Sequence, residues 1–130
     1  MLTEKDYCDY DTCVVLKELG YEGTSGECSH FGAFCMNGKE IFYDRLYNSE
    51  LKENECLRVP LYLAQKWLRE EHNLHIEVRW FSNLWYEYEV KEAEGKVVAE
   101  GSAFPTYEDA LSTAVRMGVE HLKEKQDGRM

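Results

Sequence analysis

The chain has no apolar run near the roughly 18 residues that a membrane-spanning helix requires. Its first residues, MLTEKDYCDY, show no basic stretch leading into an apolar one, as a secretion signal would. A soluble, cytoplasmic protein with no membrane partner is therefore expected. The patterns G-x-x-x-x-G-K-[ST], G-x-G-x-x-G after a strand, H-E-x-x-H and G-x-S-x-G are all missing, which removes the support for the enzyme classes they announce. Internal repeats and low-complexity segments are missing too. Basic residues are in short supply, 15 against 25 acidic for a formal net charge of -10, which opposes any surface meant to gather phosphates. Nucleic acid is a disfavoured partner. The acid is spread through both halves, so no acidic tail stands apart from a folded body.

What is present suits one compact domain. A chain of 130 residues with 44% hydrophobic content can bury one core and is short for two, so we expect a single domain, 1–130, with an ordered core over about 7–123 and a frayed C-terminal tail. The 5 cysteines are odd in number and all precede residue 57, a pattern that fits reduced thiols better than a disulfide framework.

Local chemistry places the elements. Asp9 can cap a first helix over about 10–19, with Tyr10, Cys13 and Leu16 apolar and Gly20-Tyr21 as its stop. After a Gly-rich connection, Asn37-Gly38 between aromatic-rich runs signals a hairpin. Residues 48–58 show no periodicity and read as a loop. Pro60 suits the first turn of a second helix that turns Leu61, Ala64, Trp67 and Leu68 to one face and stops at Asn73. HIEVRWF and WYEYEV then alternate as strands, with Ile76, Val78 and Trp80 on the inner face of one and Tyr86, Tyr88 and Val90 on that of the other.

A three-residue loop, Ser82 to Leu84, would pair Phe81 with Trp85 and Arg79 with Glu87 and keep those apolar residues together. Beyond a Glu94-Gly95 turn, KVVAEGSAF offers Val97, Ala99, Gly101 and Ala103 to the inner face, small enough for helices to approach. Thr106, with Asp109 three residues on, resembles a capping box. It opens a final helix whose Tyr107, Ala110, Leu111, Ala114, Val115, Gly118 and Leu122 form one stripe. The predicted fold is α+β: α-β-β followed by α-β-β-β-α. It has a three-stranded antiparallel sheet with two helices on one face, and the N-terminal helix and hairpin pack alongside.

Two resemblances arise from these residues. "TCVVLKELGY", "PLYLAQKWLREEHNLHIEV" and "TYEDAL" together resemble a group of small proteins of phages and prophages of Bacteroides and relatives. Leu61-Tyr62 after Pro60 and the additional cysteines depart from that group. The resemblance implies a phage-related accessory role and carries no catalytic residue. The element order of residues 60–123 is also similar to the double-stranded RNA-binding domain. That family holds phosphate with lysines at the start of its last helix, where this chain has Tyr107-Glu108-Asp109.

Several clusters invite a chemical reading and favour a plainer one. Cys28, His30 and Cys35, with Cys8 or Cys13, offer ligands for zinc, but not the paired Cys-x2-4-Cys spacing that structural zinc usually uses. Cys8 and Cys13 would lie about 140° apart around a helix. Thiols acting as small apolar residues are the better account. A Cys-His nucleophile could be assembled from many pairs, so no one pair is singled out. Glu70, Glu71, His72 and His75 read as a solvated helix end and strand start, not as a metal site. We expect no cofactor and no bound metal.

Phe81 and Trp85 are the candidate interaction patch, because two large rings fall on the otherwise charged outer face of the sheet. They are either packed beneath the N-terminal hairpin, the favoured reading, or open to a partner. The expected function is a non-enzymatic protein-protein interaction module with a host or phage protein as partner. Alternatives are a nucleic-acid-binding domain using Lys66, Arg69, Arg79, Lys91 and Lys96, and an acidic mimic of DNA that inhibits a host protein.

Overall fold

The structure, a computed structural model, describes residues 4–23, 33–35, 40–41, 48–53, 55–82 and 85–128. Helix α1, Tyr10–Glu18, begins where the Asp9 carboxylate accepts the Thr12 N–H at 2.8 Å. It closes on Gly20 at φ 102°, whose N–H reaches the Lys17 carbonyl while the Tyr21 N–H reaches that of Leu16. This paired ending needs a left-handed residue, and it turns Tyr21 back into the core at 1% exposure. Strands β1, Ala33–Cys35, and β2, Glu40–Ile41, are antiparallel, with Ala33 opposite Ile41. The Asn37-Gly38 turn expected between them lies outside the described residues.

The segment expected to be a loop, 48–58, contains a 3-10 turn and a strand. A short 3-10 turn, Asn48–Glu50, leads to strand β3, Glu55–Leu57, which pairs with β1 and is buried along its whole length. Asn48 holds it there: its side-chain amide donates to the Tyr21 carbonyl, its Oδ1 accepts the Leu57 N–H at 2.9 Å, and its backbone N–H donates to Glu22. The Lys17 ammonium bonds the Lys52 and Glu55 carbonyls from α1. A three-residue strand buried on both faces has no alternation to read, so its signal is tertiary.

Helix α2, Leu61–His72, is preceded by Pro60, which takes the extended cap position at φ -62°, ψ 144° instead of the first helical turn. Leu61, Leu63, Ala64 and Leu68 are buried, and Asn73 in the left-handed region ends the helix. Strands β4, His75–Ser82, β5, Trp85–Lys91, and β6, Val97–Phe104, form an antiparallel sheet in that order. Helix α3, Tyr107–Gln126, starts where the Thr106 hydroxyl accepts the Asp109 N–H. It crosses β4, β5 and β6 and packs against α1 and α2. The result is the α+β arrangement expected: a three-stranded antiparallel sheet with helices on one face and the N-terminal helix and strands beside it. No helix among the described residues is long and apolar enough to cross a membrane.

Register explains where side chains depart from expectation. Ile76 faces Val90 and Arg79 faces Glu87 as predicted, but the register shifts after Trp80, so that Ser82 and not Phe81 pairs with Trp85. Phe81 is the extra residue of a β-bulge. Strand β6 shifts twice: Ala99 and Gly101 lie opposite Val90 and Tyr88, and Ala99 packs on the core as expected, together with Val98 and Phe104. Val97 and Ala103 point outward, the latter at φ 71°. Trp80, expected inside, is 62% exposed, because the end of β4 runs past the helices that cover Ile76 and Val78.

The Asn48 clamp makes a direct prediction. Asn48→Ala removes the acceptor of the buried Leu57 N–H and a donor to the Tyr21 carbonyl, and losing the partner of a buried polar group costs about 1–3 kcal/mol. Urea unfolding should show a loss of about 2 kcal/mol or more, with an unchanged denaturant slope. A loss below about 0.5 kcal/mol, the scale of an ordinary surface change, would show that β3 does not depend on this residue.

Candidate functional site

The face of the sheet away from α2 and α3 is set by the alternation of β4 and β5. Tyr88 and Val90 are buried beneath the helices, so their neighbours Glu87 and Glu89 look the other way, opposite Arg79 and Glu77. Arg79 organises this face. Its guanidinium lies 2.7 Å from Glu77, 3.1 Å from Glu87 and 3.4 Å from Glu89, while Lys91 reaches Glu89 at 3.2 Å. Desolvation opposes the charged guanidinium, but the carboxylates of Glu87, Glu89 and Glu77 outweigh it and hold its pKa above the ordinary arginine value.

The aromatic pair lies next to this network on the same face. The bulge turns Phe81 over Trp85, and the two rings stack at 5.2 Å between centroids and 3° between planes. Phe81 is 57% exposed and Trp85 half-buried. The favoured expectation, that the N-terminal hairpin covers this pair, is not met at Phe81. Trp80 lies beside Phe81 in sequence and opposite Tyr86, whose ring meets Tyr107 edge-on at 6.1 Å. The tip of the β4–β5 hairpin therefore carries rings on both faces. Phe81 and Trp85 were legible from alternation; Trp80 was assigned to the core by that same alternation.

The other candidate groups take structural places. Cys8, Cys13 and Cys56 are buried thiols. Burial pushes the Cys13 thiol well up, with Cys8 beside it adding to the shift; its Sγ lies 3.7 Å from the Cys8 carbonyl and accepts the Val59 N–H. At neutral pH it is a protonated packing group, unsuited to attack. Cys28, His30 and the side chain of Cys35 lie outside the described residues. Glu70, Glu71, His72 and His75 are all exposed, with His72 against the Trp67 ring and His75 bonded to Asn73 Oδ1 at 2.7 Å. Among the described residues no group of three His, Cys, Asp or Glu is placed to hold a metal ion.

At the far end of the sheet Glu92 accepts from Lys125 at 3.1 Å and meets His121 at 3.2 Å, tying the β5–β6 turn to α3. A cleft of about 420 Å³ between the N-terminal segment and the start of α3 is lined by Glu4, Asp9, Glu108 and Asp109, with Lys5 and Arg58 among them. Its charge is unfavourable to phosphate. Comparisons of the chain with protein-family models, with curated proteins and with solved structures find no match.

The Glu92 cluster has a testable pH signature. The Lys125 ammonium and then His121 hold the Glu92 carboxyl below its usual range. A depressed folded pKa means that the unfolded chain binds the proton first, so this contribution is complete above the unfolded carboxyl value of about 4.3 and is lost as pH falls through the folded one. Glu92→Gln should lower Tm at pH 7 and change it little at pH 2.5. An equal difference at both pH values would exclude the ionic origin.

Proposed function

We propose that this chain is a non-enzymatic protein-binding module of phage or prophage origin, which engages a partner protein through the outer face of the β4–β5 hairpin. The observation that carries this reading is the exposed Phe81–Trp85 stack. Two large rings held parallel by a bulge form a rigid apolar anchor with little side-chain freedom left to lose on binding. The surrounding Arg79, Glu77, Glu87 and Glu89 supply the polar rim that such anchors commonly have. The sequence resemblance to phage and prophage proteins of Bacteroides and relatives supports the accessory role.

A second reading, double-stranded RNA binding, draws on the α2-β4-β5-β6-α3 order with both helices on one face. Against it stand Glu108 and Asp109 in the first turn of α3, where that family places lysines, and the excess of carboxylates in the adjoining cleft.

Affinity capture from host cells separates the two. The protein-binding reading expects one stoichiometric protein, retained after nuclease treatment. Phe81→Ala and Trp85→Ala should each weaken the purified complex by about 2 kcal/mol, roughly thirtyfold, without loss of the folded circular dichroism spectrum. Capture that disappears with nuclease favours the RNA reading. Capture that both variants leave intact removes the outer face from consideration.

A further inference from the structure

The two edges of the β4–β5–β6 sheet are built differently. Strand β6 is interrupted by two register shifts and by Ala103 at φ 71°, features that bend an edge away from further pairing. Strand β4 pairs in unbroken register with β5 from His75 to Trp80, and among the described residues β5 is its sole strand neighbour.

The direction of the β4 backbone groups follows from the hairpin that ends β5. The Glu92 N–H donates to Lys96 across the β5–β6 turn, so even-numbered residues of β5 bond toward β6 and odd-numbered ones toward β4. Glu77 and Arg79, opposite Glu89 and Glu87, consequently bond inward, and Ile76, Val78 and Trp80 present their N–H and C=O groups at the open edge. The Ile76 carbonyl confirms that direction, since the Gln65 side chain from α2 reaches it at 3.3 Å.

We propose that a second copy of this chain pairs with this edge, β4 against β4, antiparallel about a twofold axis at Val78. The sequence of the strand is self-complementary in that register. Val78 meets its own copy in a doubly hydrogen-bonded pair, Ile76 pairs with Trp80 on the inner face, and Glu77 faces Arg79 twice across the axis on the outer face. Trp80, 62% exposed in the single chain, gains an apolar neighbour. The long Gln65 bond gives way to a backbone N–H. This pairing uses the strand edge and does not depend on the partner-binding reading of the Phe81–Trp85 stack.

Sedimentation equilibrium of the full chain tests it. The wild type should show a concentration-dependent dimer. Glu77→Arg sets cation against cation at both symmetric pairs and should weaken the dimer by more than about tenfold. An equimolar mixture of Glu77→Arg with Arg79→Glu should recover a mixed dimer, as the charges again oppose. Trp80→Pro removes an outward N–H that the β4–β5 ladder does not use and should give a monomer with a wild-type circular dichroism spectrum. A wild type that stays monomeric at all concentrations overturns the proposal. So does a dimer that survives both Glu77→Arg and Trp80→Pro.

Discussion

The arrangement depends on how closely α3 can approach the junction between α2 and β4, and Gly118 sets that distance. A methyl group at this position would stand 3.2 Å from Leu74 Cδ2, 3.5 Å from Leu68 Cδ1 and 3.7 Å from Val90 Cγ1. The last turn of α2, the first residue beyond it and the central strand therefore meet the long helix at one point. Leu68, Leu74 and Val90 are all fully buried there, and interior packing leaves little room for another carbon. Because Leu74 is pinned, His75 enters β4 in a fixed orientation, and strict alternation then decides that Glu77 and Arg79 face outward. A core contact made by a glycine thus determines the chemistry of the opposite surface.

The helices were legible in the sequence because their ends are written in local chemistry. Asp9 and Thr106 act within three residues of themselves, and Gly20 and Asn73 need only the preceding turn, so each could be read without knowledge of the fold. The strands β4 and β5 were legible for a similar reason, since one buried face imposes a period of two. What escaped depends on groups distant in the chain. Strand β3 exists because Asn48 joins Tyr21 to Leu57, and neither of those residues announces it. Gly101 is determined by the Tyr88 ring, whose Cε2 lies 2.7 Å from where a Cβ would sit, and that contact explains why a small residue occurs there without revealing the bulges on either side.

The candidate surface shows the same division. Phe81 and Trp85 could be placed on one face by alternation and on adjacent strands by the turn between them, yet the bulge that stacks their planes arises only from cross-strand bonding. Trp80 continues the inward phase of Ile76 and Val78, but a side chain is buried only where something covers it. Period predicts direction; it does not predict how far the covering layer extends.

The two ends of the sheet are fastened to α3 in different ways. At the β5–β6 turn, Glu92 bonds Lys125 and His121, so charged contacts fasten the sheet to the last turns of α3. At the β4–β5 end, α3 meets the sheet through Tyr107 set edge-on to Tyr86, and Tyr107 itself is 42% exposed. Among the described residues the two most exposed large apolar side chains, Trp80 and Phe81, lie at this second end with Tyr107, while Val97 is exposed at the first and Tyr62 on α2. Exposed rings gathered at one end of a sheet, beside ion pairs that fix the neighbouring backbone, can gain contacts without any rearrangement of the core around Gly118. That separation allows the tip to change its surroundings while the fold keeps its own.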